Sequence, residues 1–269
     1  MRIVSFNING INAFDGRGDL ERLVRETDAD IYCFQETKIS SAKEQKMKDI
    51  YSKLPLYTDY NCICTVKNGY AGVTVLVHDR VLDKVQRAFY PNILAGVENL
   101  EDYGNGRVVV LELDNAYLIN AYVPNSGNKE AARMKFDEMM RDYINRLDKP
   151  CIYCGDMNVC STELDYWGNY ERAIDTAPGL CQFEIDGFGK LLQECSLVDT
   201  YREKNGDNQE YSWFTPLRGK SSPAWQLRHG WRIDYFLVSD SIKDKVIESK
   251  IYEAWNKIDH SPIELNIDI

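Results

Sequence analysis

The sequence predicts an α+β sandwich, two β-sheets packed face to face with helices outside, and three observations carry that expectation. Short β-branched runs bounded by turn residues recur along the whole chain. Helical periodicity is confined to a few scattered segments. No repeat, low-complexity tract or Pro/Gly/Ser-rich linker divides the sequence. With 269 residues, 44% of them hydrophobic, the chain is long enough for a sizeable core, and one domain over residues 1–269 is expected.

The expected strands, in order, are Arg2–Phe6, Ile31–Gln35, Gly72–His78, Val108–Leu113, Tyr117–Tyr122, Cys151–Cys154, Ile233–Val238, Val246–Tyr252 and Ile263–Ile267. Leu20, Leu23 and Val24 recur at helical spacing after Asp19, a candidate N-cap. A second helix is expected from Glu130 to Leu147, with Met134, Phe136, Met140 and Ile144 on its buried stripe. A third covers Phe188 to Leu192 and its flanks. Sheets of short strands gather their strand ends at one rim, where polar motifs following apolar runs should converge.

The formal net charge of −10 argues against coating of nucleic acid without specificity, which draws on Lys and Arg, and leaves room for a local basic face. No apolar stretch approaches the ~20 residues of a membrane span, and Met1-Arg2-Ile3-Val4-Ser5-Phe6-Asn7 turns polar too soon for a signal peptide. A protein of the cell interior is expected, without membrane contact. The eight cysteines sit partly inside apolar runs and read as reduced, mostly buried thiols. Cys151 and Cys154 have the spacing of a zinc half-site, but no second pair or His cluster accompanies them.

Six places put polar groups at expected strand mouths: Asn7 and Asn9; Glu36; Tyr122-Val123-Pro124-Asn125; Gly155-Asp156-Met157-Asn158; Gly230-Trp231-Arg232-Ile233-Asp234-Tyr235; and Asp259-His260-Ser261-Pro262. Each alone has a plainer alternative: Asn-x-Asn caps a turn, a lone Glu is solvated, and an Asp beside an Arg is a salt bridge. Together, Glu36, Asp156, Asp234, Asp259, His260 and the amides can hold a hard divalent ion through oxygen and activate water for attack at phosphorus.

These motifs, with Ser5-Phe6-Asn7-Ile8-Asn9-Gly10 and Gln35-Glu36-Thr37-Lys38, stand in the order found in the exonuclease III and apurinic/apyrimidinic endonuclease family of DNA repair, which the chain resembles nearly end to end. The resemblance implies a four-layer α/β sandwich of two mostly antiparallel sheets flanked by helices. It implies Glu36 as principal Mg²⁺ ligand (Mn²⁺ the alternative), Asn9 and Asp259 near the metal, and Asn7 orienting it. It implies Asp156 as the residue that aligns or deprotonates the attacking water with Asn158 holding it in place, His260 oriented by Asp234 on the scissile phosphate, and Tyr122 and Asn125 as phosphate contacts. The implied activity is hydrolysis of duplex DNA 5′ to an abasic site, with trimming of blocked 3′ ends, by a monomer in a bacterial or archaeal cytoplasm or a eukaryotic nucleus.

Trp213, Trp231 and Ile233 resemble the wall of the repair branch's pocket for a base-less sugar, whose extrusion is less costly than that of an intact nucleotide; the alternative is ordinary core packing. Residues 211–233 carry Arg218, Lys220, Arg228 and Arg232 without an acid, a local DNA-facing strip. Lys67, Tyr70 and Arg107 are expected at the flanking backbone. The chain departs from the family at Ile258, Ile185, Asn105 and the loop Asp165–Ala177, which bears on substrate preference. The rivals are a related phosphoesterase of RNA or phosphoinositides and a non-catalytic DNA-binding relative.

Overall fold

The apolar runs become the middle of two six-stranded sheets in the structure, a computed structural model in which residues 1–127, 129–215, 229–253, 255 and 258–269 are described. Among these residues the strands are β1 (Arg2–Asn7), β2 (Ile31–Gln35), β3 (Tyr57–Cys62), β4 (Val73–His78), β5 (Val85–Phe89), β6 (Val108–Leu113), β7 (Tyr117–Tyr122), β8 (Cys151–Asp156), β9 (Leu197–Asp199), β10 (Asp234–Ser239), β11 (Val246–Ile251) and β12 (Ile263–Ile267). One sheet has the order β11-β12-β1-β2-β4-β3 and the other β5-β6-β7-β8-β10-β9. In each, one central pair is parallel, β1 with β2 and β7 with β8, and the remaining pairs are antiparallel. A parallel pair needs a crossover, supplied by the helices Asp19–Thr27 and Glu130–Asn145.

The layers follow from two-residue alternation. Ile3, Cys33, Val75, Leu111, Ile152, Cys154, Phe236 and Leu265 meet between the sheets. The outward faces of the same strands carry Val4, Phe6 and Phe34 under the first helices, and Val110, Ile119 and Tyr153 under Phe136, Met140 and Phe188. Strands covered on both sides need apolar residues throughout, as β2 and β8 show. Helix, sheet, sheet, helix is the four-layer sandwich expected.

Three strands escape the sequence pattern, β3, β5 and β9, and all are at sheet edges. Edge strands are covered on fewer sides: in Tyr57–Cys62 every residue is half-buried, and Val85–Phe89 is largely exposed. Met134 is also misjudged, being 50% exposed, while its neighbour Arg133 takes the place on the buried stripe. Asp19 lies in the first helical turn behind Gly18, which holds the cap position in a left-handed conformation. Cys151 and Cys154, three apart on β8, point into different cores and cannot share a ligand; all eight cysteines are free.

Candidate active site

The carboxyl ends of the parallel pairs of both sheets open on the same rim. Asn7 ends β1, opposite Gln35 at the end of β2; Tyr122 and Asp156 end β7 and β8 side by side; and Asp234 starts β10 opposite Asp156. Gly155 is required by a close approach rather than a turn: its φ is +130°, and a Cβ there would stand 1.9 Å from the Ala121 carbonyl oxygen of the parallel neighbour. Beyond the strands, Asn9, Glu36, Lys38 and Asn158 adopt φ near +50°, which side-chain-bearing residues seldom do and which concentrates at functional sites.

Asn7 joins the two sheets chemically. Its Nδ2 donates to Glu36 Oε1 at 3.0 Å and to Asp156 Oδ2 at 2.9 Å, and its Oδ1 accepts from the Asn9 backbone N–H at 3.2 Å. Asp156 Oδ1 accepts from the Asn158 N–H at 2.9 Å, and Asn158 in turn donates to the Val123 carbonyl and accepts from Asn125 Nδ2 at 3.3 Å. His260 Nδ1 lies 2.9 Å from Asp234 Oδ2, with Nε2 3.8 Å from Asp156 Oδ2. Asn9 Nδ2 donates to Asp259 Oδ1 at 3.2 Å.

Burial sets the electrostatics. It pushes the Asp156 carboxyl up to about 7, with the Asp234 and Glu36 carboxylates adding to the rise against the pull of His260. Burial alone would lower the His260 imidazolium, but Asp234, followed by Asp156 and Asp259, pushes it up to about 10. For Glu36 the penalty of burial is outweighed by the Lys38 ammonium and the Asn7 amide, which hold the carboxyl below its usual range. Burial, helped by Glu36 and Asp156, keeps the Tyr122 phenol protonated well past its ordinary range.

A divalent metal fits this donor set. The Lys38 ammonium stands 2.6 Å from Glu36 Oε2 and 2.5 Å from Asn9 Oδ1, so a carboxylate and an amide oxygen already converge on positive charge. Side-chain oxygen and nitrogen atoms of Asp156, Asp234 and His260 lie within 4.8 Å of one another, the charged His260 having no lone pair for a metal, and Asp234 Oδ1 is buried without a hydrogen-bond partner.

Beside the acids is a hollow walled by Trp213, Trp231 and Ile233, into which Glu36, Tyr122, Asn125, Asp156 and His260 also face. The two indoles lie 4.9 Å apart, and their backbones exchange hydrogen bonds of 2.8 Å. Ser212 fixes this wall to β10: its Oγ accepts from the Ile233 and Asp234 N–H groups, and its carbonyl accepts from the Ser261 N–H.

Two expected DNA contacts are placed elsewhere. Arg107 is buried, donating to the Tyr103 and Tyr122 carbonyls and to the Tyr70 hydroxyl, with its guanidinium 4.8 Å from the Tyr122 ring. It positions Tyr70 and Tyr122 and has no face left for a phosphate. Arg232 is buried too, paired with Asp165 at 2.7 Å and Asp199 at 2.6 Å. Arg218, Lys220 and Arg228 lie outside the described residues. Tyr70 is half-buried, with Lys67 Nζ 4.4 Å from its ring centre. Ile258 packs into the apolar core, and Asn105 accepts from the Thr65 N–H.

Sequence reasoning missed Arg133 and Glu184. Buried Arg133 donates to the carbonyls of Pro124, Met157 and Asn158, and the Glu184 carboxylate accepts from the Gly179 and Cys181 N–H groups. Arg133 thereby holds the segments that carry Asn125 and Asn158, and Glu184 the turn at Gly179 and Cys181. The available signal was an arginine in phase with Phe136, Met140 and Ile144, on a stripe that should be apolar.

The chain is similar to known proteins along its whole length. The profile of the Endonuclease/Exonuclease/phosphatase family matches residues 4–254. The chain is 33% identical to an exodeoxyribonuclease of Bacillus subtilis, over all of both chains, and 29% identical to a DNA-(apurinic or apyrimidinic site) endonuclease of Dictyostelium discoideum, over all of this chain and 71% of that one. Among solved structures, an AP endonuclease from Leishmania major superposes with a TM-score of 0.82 at 24% identity, covering 98% of this chain and 86% of that one. A 3′-5′ exonuclease from Neisseria meningitidis superposes with a TM-score of 0.79 at 21% identity, over all of both chains.

Proposed function

The chain belongs to the endonuclease/exonuclease/phosphatase family, and from that premise we propose that it hydrolyses the phosphodiester 5′ to an abasic site in duplex DNA and trims blocked 3′ ends, with Mg²⁺ as its metal. The observation that carries the reading is the direct connection of the Asn7-linked carboxylates and the His260–Asp234 pair to the hollow walled by Trp213 and Trp231.

In this reading the scissile phosphate lies at the mouth of the hollow against His260 Nε2. The imidazolium, kept charged by Asp234, meets the negative charge that grows on the phosphoryl oxygens, as Asn125 and the Tyr122 phenol do by hydrogen bonds. Asp156, held by the Asn7 amide and the Asn158 N–H, takes a proton from water as the new P–O bond forms, and the bond to the 3′ oxygen breaks with that oxygen taking a proton from solvent water. A carboxyl pushed up to about 7 is a suitable base near neutral pH. Glu36 and Asn9, with Asp259 behind Asn9, would hold the metal, which supplies Lewis-acid stabilisation of the charged phosphate. The hollow then receives a deoxyribose without its base.

The test is a duplex carrying one tetrahydrofuran abasic analogue, incubated with and without Mg²⁺ beside an undamaged duplex and a phosphoinositide. Incision 5′ to the analogue, dependent on Mg²⁺, is expected. Equal cleavage of both duplexes, or faster turnover of the phosphoinositide, rejects the assignment.

A further inference from the structure

The aromatic wall does not stop at Trp231. Ring centres step from Trp213 to Trp231 at 4.9 Å, to Tyr166 at 5.8 Å and to Tyr170 at 6.2 Å, leading out of the catalytic hollow into a second one. Trp167 borders both hollows and is 47% exposed, a large apolar side chain left in reach of solvent. Its backbone N–H donates to the Gly230 carbonyl at 3.1 Å, and its ring lies parallel to that of His229, 12° apart in plane and 3.3 Å between centres. The second hollow adds Tyr211 with the carboxylates of Glu163 and Glu171.

That chemistry discriminates among the parts of a nucleic acid. A phosphodiester is repelled by two carboxylates, and a deoxyribose has no planar π face to stack on a ring. A nucleobase offers a π face for Trp167 and the tyrosines, together with N–H donors for Glu163 and Glu171. We propose that the second hollow is a nucleobase subsite, taking the base next to the abasic residue on the cleaved strand, with Trp167 as its stacking platform. The proposal rests on the abasic-DNA reading above and extends it from the missing base to its neighbour. The consequence is that the enzyme recognises a lesion by an absence in one hollow and a presence in the other.

The experiment places 2-aminopurine, whose fluorescence is quenched by stacking, on the 5′ or the 3′ side of a tetrahydrofuran residue, and titrates the duplex with the full-length protein in chelator so that no cleavage intervenes. Alongside, kcat/KM with Mg²⁺ is compared between a substrate with a normal neighbour and one with two adjacent tetrahydrofuran residues. Quenching on binding is expected at one of the two positions, to be lost in Trp167→Ala and restored in Trp167→Phe. The preference for a base-bearing neighbour should fall about ten-fold in Trp167→Ala, within the usual range for one stacked base. Absence of quenching at both positions, or equal losses on the two substrates, overturns the subsite. Quenching that responds to Trp167 in a protein unable to incise the abasic duplex would uphold the subsite and reject the proposed reaction, so the two failures are distinguishable.

Discussion

At Arg232 and Asp234, two residues apart, the chain enters two separate clusters of buried charge. Around Arg232, its guanidinium spans Asp165 and Asp199, Arg202 adds a second cation to Asp165, and the Ser161 and Thr162 hydroxyls donate to Asp165 as well. Around Asp234, carboxylates outnumber cations: Asp156 and Glu36 face it across His260, and one Asp234 oxygen has no partner. Burial alone would raise the Asp165 carboxyl, but Arg232 and Arg202 hold it below its ordinary range, whereas Asp156 is pushed up. The same residue types therefore serve stability in one cluster, where two cations meet two carboxylates. In the other they hold negative charge that a cation or a phosphate-bound transition state would relieve.

The widest separation should come from removing one aspartate of each. Asp165→Ala leaves Arg232 buried beside only Asp199, and breaking a buried pair from one side costs ~3–5 kcal/mol. Urea unfolding should show that loss. Asp156→Asn removes a buried charge but can accept from only one of the Asn7 amide and the Asn158 N–H, so its unfolding midpoint should fall less than that of Asp165→Ala while turnover on abasic duplex falls ~10²–10⁴-fold. Matching stability losses in the two variants would erase the contrast.

A smaller effect is expected at His260. His260→Ala should lower kcat ~10²–10³-fold, the usual worth of a group aimed at transition-state charge, with DNA affinity in chelator little changed. Near-normal kcat in a folded variant would remove His260 from the phosphate site.

How much of this was legible in the sequence depended on where each residue sits. Asn7, Glu36, Asp156, Asp234 and His260 could be found because each interrupts or ends an apolar run, and strand ends share a rim. The central strands were legible because both faces are covered, while Tyr57–Cys62, Val85–Phe89 and Leu197–Asp199 were not, because an edge strand needs little apolar sequence. Arg107 and Arg232 misled for a related reason. Charge in a sequence reads as surface, yet each is buried against partners distant along the chain, such as Tyr70 and Asp165, that no local pattern announces. Arg133 and Ser212 went unnoticed because their work is done on backbone carbonyls and amides, which every residue carries.

Metal demand gives the next, gentler probe. Glu36→Gln retains an oxygen for the metal but loses the charge that Lys38 now balances. Its Mg²⁺ titration should move to higher concentration, with part of the turnover recovered at saturation, and chelator should silence the parent. Overlaid titrations, or activity that survives chelator, would take Glu36 out of the metal site.

The smallest effect expected is in the pH dependence of stability without metal, where the two clusters should act with opposite sign. Asp165 has a folded-state pKa below its unfolded one, so its contribution is complete above the ordinary aspartate range and is lost as pH falls through the folded value. Asp156 is the reverse: its pKa is raised to about 7, the folded state binds the extra proton, and stability declines as pH rises from the ordinary value of about 4 towards 7. His260, raised to about 10, continues that decline above neutrality, its contribution being whole below the unfolded histidine value and lost as pH rises through the folded one. Urea midpoints in chelator should therefore fall from pH 5 to pH 7 in the parent and flatten over that interval in Asp156→Asn. The acid-side loss below pH 4, to which Asp165, Glu36 and Asp30 all contribute, should remain in that variant. An unchanged slope between pH 5 and 7 in Asp156→Asn would mean that the carboxyl is already ionised there, and that the excess of negative charge is relieved within the fold.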